Sequence, residues 1–192
     1  MADFRLETER LVLRDWRSED WGAFFRHTNV PAVMQWLGGV LDDEGCAAQR
    51  ARVESCRAAN GFCFWLVERK EDGGHLAGET LGFCGLKRAD APGSSVAGEI
   101  EIGWRFREDS WGRGYAKEAA IAAMDAAFGH FGALRVVSIT VEGNAPSWGL
   151  MQRLGMTRRP EFDYADDRYD PPWRDAILYD ITSEEWREHR PR

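Results

Sequence analysis

Residues 107–120 read Arg-Glu-Asp-Ser-Trp-Gly-Arg-Gly-Tyr-Ala-Lys-Glu-Ala-Ala. They carry an extended apolar segment through a glycine-rich turn directly into a helix. Gly112 and Gly114 lack Cβ atoms where the backbone must curl and where a ligand approaches closely. Arg113, Gly114, Tyr115 and Ala116 are predicted to form the first helical turn, whose amides have no intrahelical partner. Such donors at the positive end of a helix dipole favour a phosphate or pyrophosphate. A plain strand–turn–helix connection also uses Gly-x-Gly, so the surroundings must decide.

Upstream, Glu99 to Phe106 alternates. Ile100, Ile102, Trp104 and Phe106 share one face; Glu99, Glu101, Gly103 and Arg105 share the other. Downstream, Ala120, Ile121, Met124 and Phe128 form one stripe of a helix ending near Phe128. Arg10–Asp15, 62–69, 81–88, 135–141 and 177–181 read as further strands. Helices are expected after Ser18 as a cap, over about 43–59 before Asn60-Gly61, and over 146–154 before Gly155. Residues 89–97 and the acidic, aromatic, Pro-rich stretch 163–174 read as loops. The order implies a mixed α/β (α+β) sheet in a single domain spanning residues 1–192.

Trp111-Gly112-Arg113-Gly114-Tyr115-Ala116 resembles the acyl-CoA pyrophosphate loop Gln/Arg-x-x-Gly-x-Gly/Ala of the GCN5-related N-acetyltransferases (GNAT). Only Trp111, at the Gln/Arg position, departs. With Glu118-Ala119 following, the stretch is similar to the branch holding the ribosomal-protein N-terminal acetyltransferases. The dinucleotide fingerprint fails at Lys117, where it needs glycine, and no Gly-x4-Gly-Lys-Ser/Thr loop occurs. The resemblance covers roughly residues 8–182. It implies a central, mostly antiparallel, splayed sheet flanked by helices, with acetyl-CoA as the acetyl donor held by Gly112, Arg113, Gly114, Tyr115, Ala116 and Lys117.

A second element, Asn144-Ala145-Pro146-Ser147 leading to Leu154-Gly155-Met156, is similar to the family's Asn-x-x-Ser and Leu-Gly-Phe/Met helix. Asn144 and Ser147 sit where a strand opens into a helix, so each can cap its amides or reach a ligand. The resemblance implies that Asn144 contacts the pantetheine arm of the donor. It also implies that Trp104 and Phe106 act through main-chain N–H groups on a strand splayed from its neighbour. Glu101, in Glu-Ile-Gly-Trp, matches the glutamate of a similar Glu-Ile-Gly-Tyr motif and is the candidate base, with Glu99 as substitute. A solvated strand residue paired with an Arg is the alternative for Glu101. Many relatives place a proton-donating Tyr seven residues after the Asn. Here that residue is Met151, which leaves Ser147 or a bound water to serve the departing thiolate.

Composition narrows the rest. A hydrophobic fraction of 44% with nine Trp excludes a disordered chain, and a net charge of −7 argues against a nucleic-acid partner. Cysteines at 46, 56, 63 and 84 show no metal spacing or disulfide framework, so no metal is expected. None lies in the motifs or beside a histidine, and no Gly-x-Ser-x-Gly elbow occurs, so direct transfer in a ternary complex is simpler than a covalent acyl-enzyme. His27, His75, His130 and His189 lack partners at useful spacing. No signal core or membrane span is present, and the expected location is cytoplasmic. The acceptor is read as a protein N-terminal amine, a polyamine-like or antibiotic amine, or an amino-acid-like metabolite. Asp163, Asp166, Asp167 and Asp170 would favour a cationic one. A CoA-binding regulatory domain without turnover is the alternative from another class.

Overall fold

A computed structural model of the protein describes residues 4–191. β1 (Arg5–Glu7) and β2 (Leu11–Arg14) open the chain as an antiparallel pair. α1 (Asp20–Thr28), the short α2 (Pro31–Met34) and α3 (Asp43–Asn60) follow. Then come β3 (Trp65–Arg69), β4 (Thr80–Arg88), β5 (Ile100–Phe106), α4 (Tyr115–Gly129), β6 (Arg135–Val141) and α5 (Ala145–Arg153). The chain ends with β7 (Thr157–Arg158), β8 (Tyr164–Ala165), β9 (Asp175–Thr182) and α6 (Ser183–His189). The nine strands form one open sheet in the order β1-β2-β3-β4-β5-β6-β9-β7, with β8 also on β9. Every pairing is antiparallel except β5 with β6.

Local chemistry explains most boundaries. α3 starts where the Asp42 carboxylate accepts from the Gly45 amide at 2.8 Å, and it stops at Gly61 in the left-handed conformation. α6 starts with a capping box of Thr182 and Glu185. Ser18 does not cap α1. Glu19 takes the cap position without a side-chain bond, and Asp20 instead accepts from the Arg17 amide at 2.6 Å and from Arg14 at 2.8 Å. A buried bidentate partner for Arg14 outcompetes a hydroxyl cap, because an unpaired buried guanidinium is expensive.

Two apolar layers sandwich the sheet. Ile100, Ile102 and Phe106 of β5 pack with Ala119, Ala120, Ala123 and Met124 of α4 on one face. Trp21 and Phe24 of α1, Val53 of α3, and Phe83 of β4 form a smaller cluster on the other. The alternation read in β5 therefore assigns its odd residues to the α1/α3 face. Among the described residues no helix is long and apolar enough to cross a membrane.

Candidate active site

The sheet forks at its centre. β4 pairs with β5 along the whole strand, from Gly82↔Phe106 to Arg88↔Ile100. β6 pairs with β5 only at Ile100↔Val136 and Glu101↔Val137. The odd residues direct their main-chain groups to β4, as the flanking bonds Ala89 N to Glu99 O and Arg107 N to Leu81 O confirm at 2.9 and 2.8 Å. The even residues therefore turn theirs into the gap beyond Glu101. Two gap carbonyls are already occupied: Ser138 Oγ donates to Ile102 O and Trp111 Nε1 to Phe106 O, both at 3.0 Å. Trp104 and Phe106 keep their N–H groups facing the opening, with no β6 partner among the described residues. Trp111, half exposed at 50%, thus closes one end of the fork.

Below the gap lies the N-terminus of α4. The helix starts at Tyr115, later than the sequence suggests, because Gly114 serves as its N-cap at φ +79°. An L-residue with a Cβ is strained there. Among the described residues, none of the six amides from Gly112 to Lys117 donates a hydrogen bond. Unpartnered amides at the positive end of a 15-residue helix form an anion cradle. The loop is braced from outside: Glu118 accepts from Thr8 Oγ1 at 2.5 Å, from the Arg10 amide at 2.8 Å and from Arg10 Nε at 2.7 Å. Arg10 also donates to the Arg113 carbonyl at 3.1 Å. Burial pushes the Glu118 carboxyl up, but these bonds outweigh it and hold it below its ordinary value.

A cleft of about 860 Å³ joins fork and cradle, and it also contains Asn144, Ser147, Lys117 and Arg153. Asn144 is the N-cap residue of α5 by position, yet its side chain makes no capping bond and donates to Thr140 Oγ1 at 3.1 Å. Met151 is 1% exposed within the core and does not line the cleft. Arg113 lies exposed beside the cleft, and the Tyr115 ring is turned into the body of the protein, where its hydroxyl donates to His75 O.

The α1/α3 side of the cleft holds the acid–base groups. The Glu101 side chain is 13% exposed, and Lys87 Nζ stands 3.1 Å from it. Burial raises the Glu101 carboxyl above its ordinary value; the Lys87 charge pulls the other way without cancelling it. Lys87 also pairs with Asp90 at 2.6 Å. Glu99, by contrast, is 40% exposed, pairs with Arg135 at 3.2 Å and does not line the cleft. Gly103, between Glu101 and Arg105, is required by close approach: a Cβ there would stand 2.9 Å from the Phe64 ring.

Residues 166–173 fold back over this side. Trp173 Nε1 donates to Gln35 O at 2.8 Å, and Tyr169 lies against Gly38. Three of the acids of 163–174 are paired with arginines. Asp163 pairs with Arg158, Asp166 with Arg168 and Asp167 with Arg174. Lys87, Asp90, Arg105 and Tyr169 line the cleft without any motif to mark them, since strand register and loop return decide their positions. Cys56 and Cys63 also line it; the neighbouring Cys63 thiol, with Asn60 Nδ2 donating to Cys56 Sγ at 3.7 Å, holds the Cys56 thiol below its ordinary value. Among the described residues no group of three or more His, Cys, Asp or Glu side chains is arranged to hold a metal.

Known proteins share this arrangement. The family pattern described as an acetyltransferase (GNAT) domain matches residues 10–157. An uncharacterised N-acetyltransferase of Bacillus subtilis, YnaD, is 29% identical over 184 residues, covering 94% of this chain and 98% of the relative. The crystal structure of an acetyltransferase from Agrobacterium tumefaciens superposes with a TM-score of 0.76 at 26% identity, over 95% of this chain and 96% of that one. A ribosomal-protein-S5-alanine acetyltransferase of Vibrio fischeri shares the fold at a TM-score of 0.71 and 16% identity, over 96% and 99% of the two chains. With the forked sheet, the amide cradle and a family match over most of its length, the chain belongs to the GNAT acetyltransferase family.

Proposed function

We propose that the protein moves an acetyl group from acetyl-CoA to a primary amine by direct transfer in a ternary complex. The observation that carries this reading is the half-open rung of β5: free Trp104 and Phe106 N–H groups stand above an unpartnered amide row at the start of α4. Acetyl-CoA supplies a thioester, an acyl group already activated toward amines. The cradle of residues 112–117, flanked by Lys117 and Arg153, neutralises its pyrophosphate. Asn144 and the β5 amides orient its pantetheine arm, and the same amides stabilise negative charge developing on the carbonyl oxygen.

Glu101 removes the ammonium proton of the acceptor, directly or through water, and its burial-raised affinity for protons suits the task. Ser147, which lines the cleft, or a water it holds, returns a proton to the departing sulfur. A thiol with a free pKa of ~8.5 leaves tolerably well without strong assistance, so the buried Met151 is compatible with turnover.

The test combines calorimetry of acetyl-CoA binding with thiol release across a panel of amines. Binding and amine-dependent thiol release are expected. Absence of binding would overturn the cradle assignment. Binding without release from any amine would favour an acyl-CoA-binding regulatory domain.

A further inference from the structure

Arg105 is a half-buried cation of the cleft that the proposed transfer does not use. It shares the odd-residue face of β5 with Glu101 and lines the same cavity. Its guanidinium lies over the Phe24 and Phe83 rings, with centroids 5.7 and 5.5 Å from the central carbon. The rings take its faces, so the edges remain for hydrogen bonding. Nη1 donates to Gln49 Oε1 at 3.1 Å. Nε is buried and donates to nothing. Among the described residues no carboxylate pairs with Arg105, whereas Lys87 has two in the same cleft and Arg168 has one. Nη2 has no hydrogen-bond partner among the described residues either, and a guanidinium with free donors on a cleft wall suits a carboxylate. Burial and the nearby Arg52 charge bring its pKa down to about 10, so the group is charged at neutral pH while lacking a counter-ion.

A buried guanidinium left without an anion is costly, and such an expense marks a place where a ligand completes the pairing. Glu101 and Arg105 lie four residues apart on one strand, so their Cα atoms are ~13 Å apart, and both line the same cleft. Resting on the acetyl-transfer reading for the role of Glu101, we propose that the acceptor is an amine that also carries a carboxylate, bound by the Arg105 guanidinium. Asp163, Asp166 and Asp167 are each paired with an arginine, which weakens the reason to expect a polycation there. Arg105 is thus the specificity residue of the acceptor pocket, and Gln49 positions it.

The experiment uses 5-aminovalerate, an unbranched amine ending in a carboxylate, against its amide, 5-aminovaleramide, and the diamine cadaverine. Thiol release and calorimetry on CoA-loaded protein are both measured. The acid is expected to be preferred over the amide at least tenfold in kcat/KM. Arg105→Gln should raise KM for the acid tenfold or more with kcat within a few-fold, and so abolish the preference for the acid over the amide. Arg105→Lys keeps the charge without the fork, and should recover only part of the preference. A melting curve with and without acetyl-CoA verifies that each variant folds. Equal use of acid and amide by the wild type, or a preference for cadaverine, overturns the proposal. If no amine releases thiol, yet CoA-loaded protein binds the acid over the amide and Arg105→Gln abolishes this, the transfer reading fails while the carboxylate site stands. If the acid binds no better than the amide, the carboxylate site falls.

Discussion

Replacing Glu101 by Gln tests the chemistry directly, and its size can be worked out in advance. The substitution keeps shape and removes only the ability to take a proton. Lys87 retains Asp90 at 2.6 Å, and burial already disfavours charge at position 101, so the fold should melt within a few degrees of wild type. An alkyl amine with a pKa of ~10.4 is neutral in only about 4 of 10⁴ molecules at pH 7 and about 4 of 10² at pH 9. A positioned base typically contributes ~10²–10⁴ in rate. Glu101→Gln should therefore lower kcat/KM for 5-aminovalerate by ~10² or more at pH 7. About two powers of ten of the loss should return by pH 9, where solvent performs the deprotonation. An α-amine with a pKa of ~7.7–8.0 is already about a tenth neutral at pH 7, so for it the deficit due to protonation alone is limited to ~10-fold. Thiol release followed from pH 6 to 10 provides the assay. Near-wild-type turnover at pH 7, or a loss that stays constant with pH, would refute the role of Glu101. Glu99→Gln is the control, and it should stay near wild type because that carboxylate pairs with Arg135 outside the cleft.

Lys87→Met removes the charge that holds Glu101 down, so its carboxyl should rise further and the acid limb of kcat/KM should move to higher pH; an unmoved limb would separate Lys87 from the base. Gly114→Val forces a β-branched residue to φ +79°, costing about 1–2 kcal/mol in stability and weakening acetyl-CoA affinity tenfold or more by calorimetry. Asn144→Ala should barely change the melting temperature of free protein, since no cap is lost, but should shrink the stabilisation given by acetyl-CoA; an equal drop in both would assign it a structural role. Cys56→Ser should retain turnover within a few-fold, and a loss above ~10² would replace direct transfer with a thioester route through that thiol.

The features legible in the sequence are those set by neighbours along the chain. β6 was readable to its end residues because five of the seven residues of Arg135–Val141 are β-branched. The helix after the glycine loop was readable from its alanine-rich stripe, although its start slipped because Gly114 is a cap rather than a first-turn residue. β1, α2, β7, β8 and α6 are short, and no period can establish itself over so few residues. Glu101 and Asn144 stand out in the sequence because each sits in a recognisable local motif, and both line the cleft. Arg105 was visible only as one member of an alternating face. Its environment comes from Gln49, Phe24 and Phe83, which are distant in sequence. The pairing of the acids of 163–174 was hidden for the same reason: nothing in a run of aspartates announces that Arg158, Arg168 and Arg174 will pair with three of them.

The fork between β5 and β6 gives this protein an edge in the interior of its own sheet. Exposed edges ordinarily invite any passing strand, and proteins cover or distort them for that reason. Here the protection is selective. Ser138 and Trp111 occupy two of the acceptors and leave the donors bare, so the opening rejects a second donor-rich partner and welcomes a carbonyl. The ladder halts at Glu101, which makes the proposed base the last rung before the break. Extending the β5–β6 pairing by even one or two rungs would add hydrogen bonds, raise stability and erase the gap proposed to hold the acyl group. In this fold, the most favourable sheet and the working sheet are different objects, and the protein survives as an enzyme by leaving its central seam unfinished.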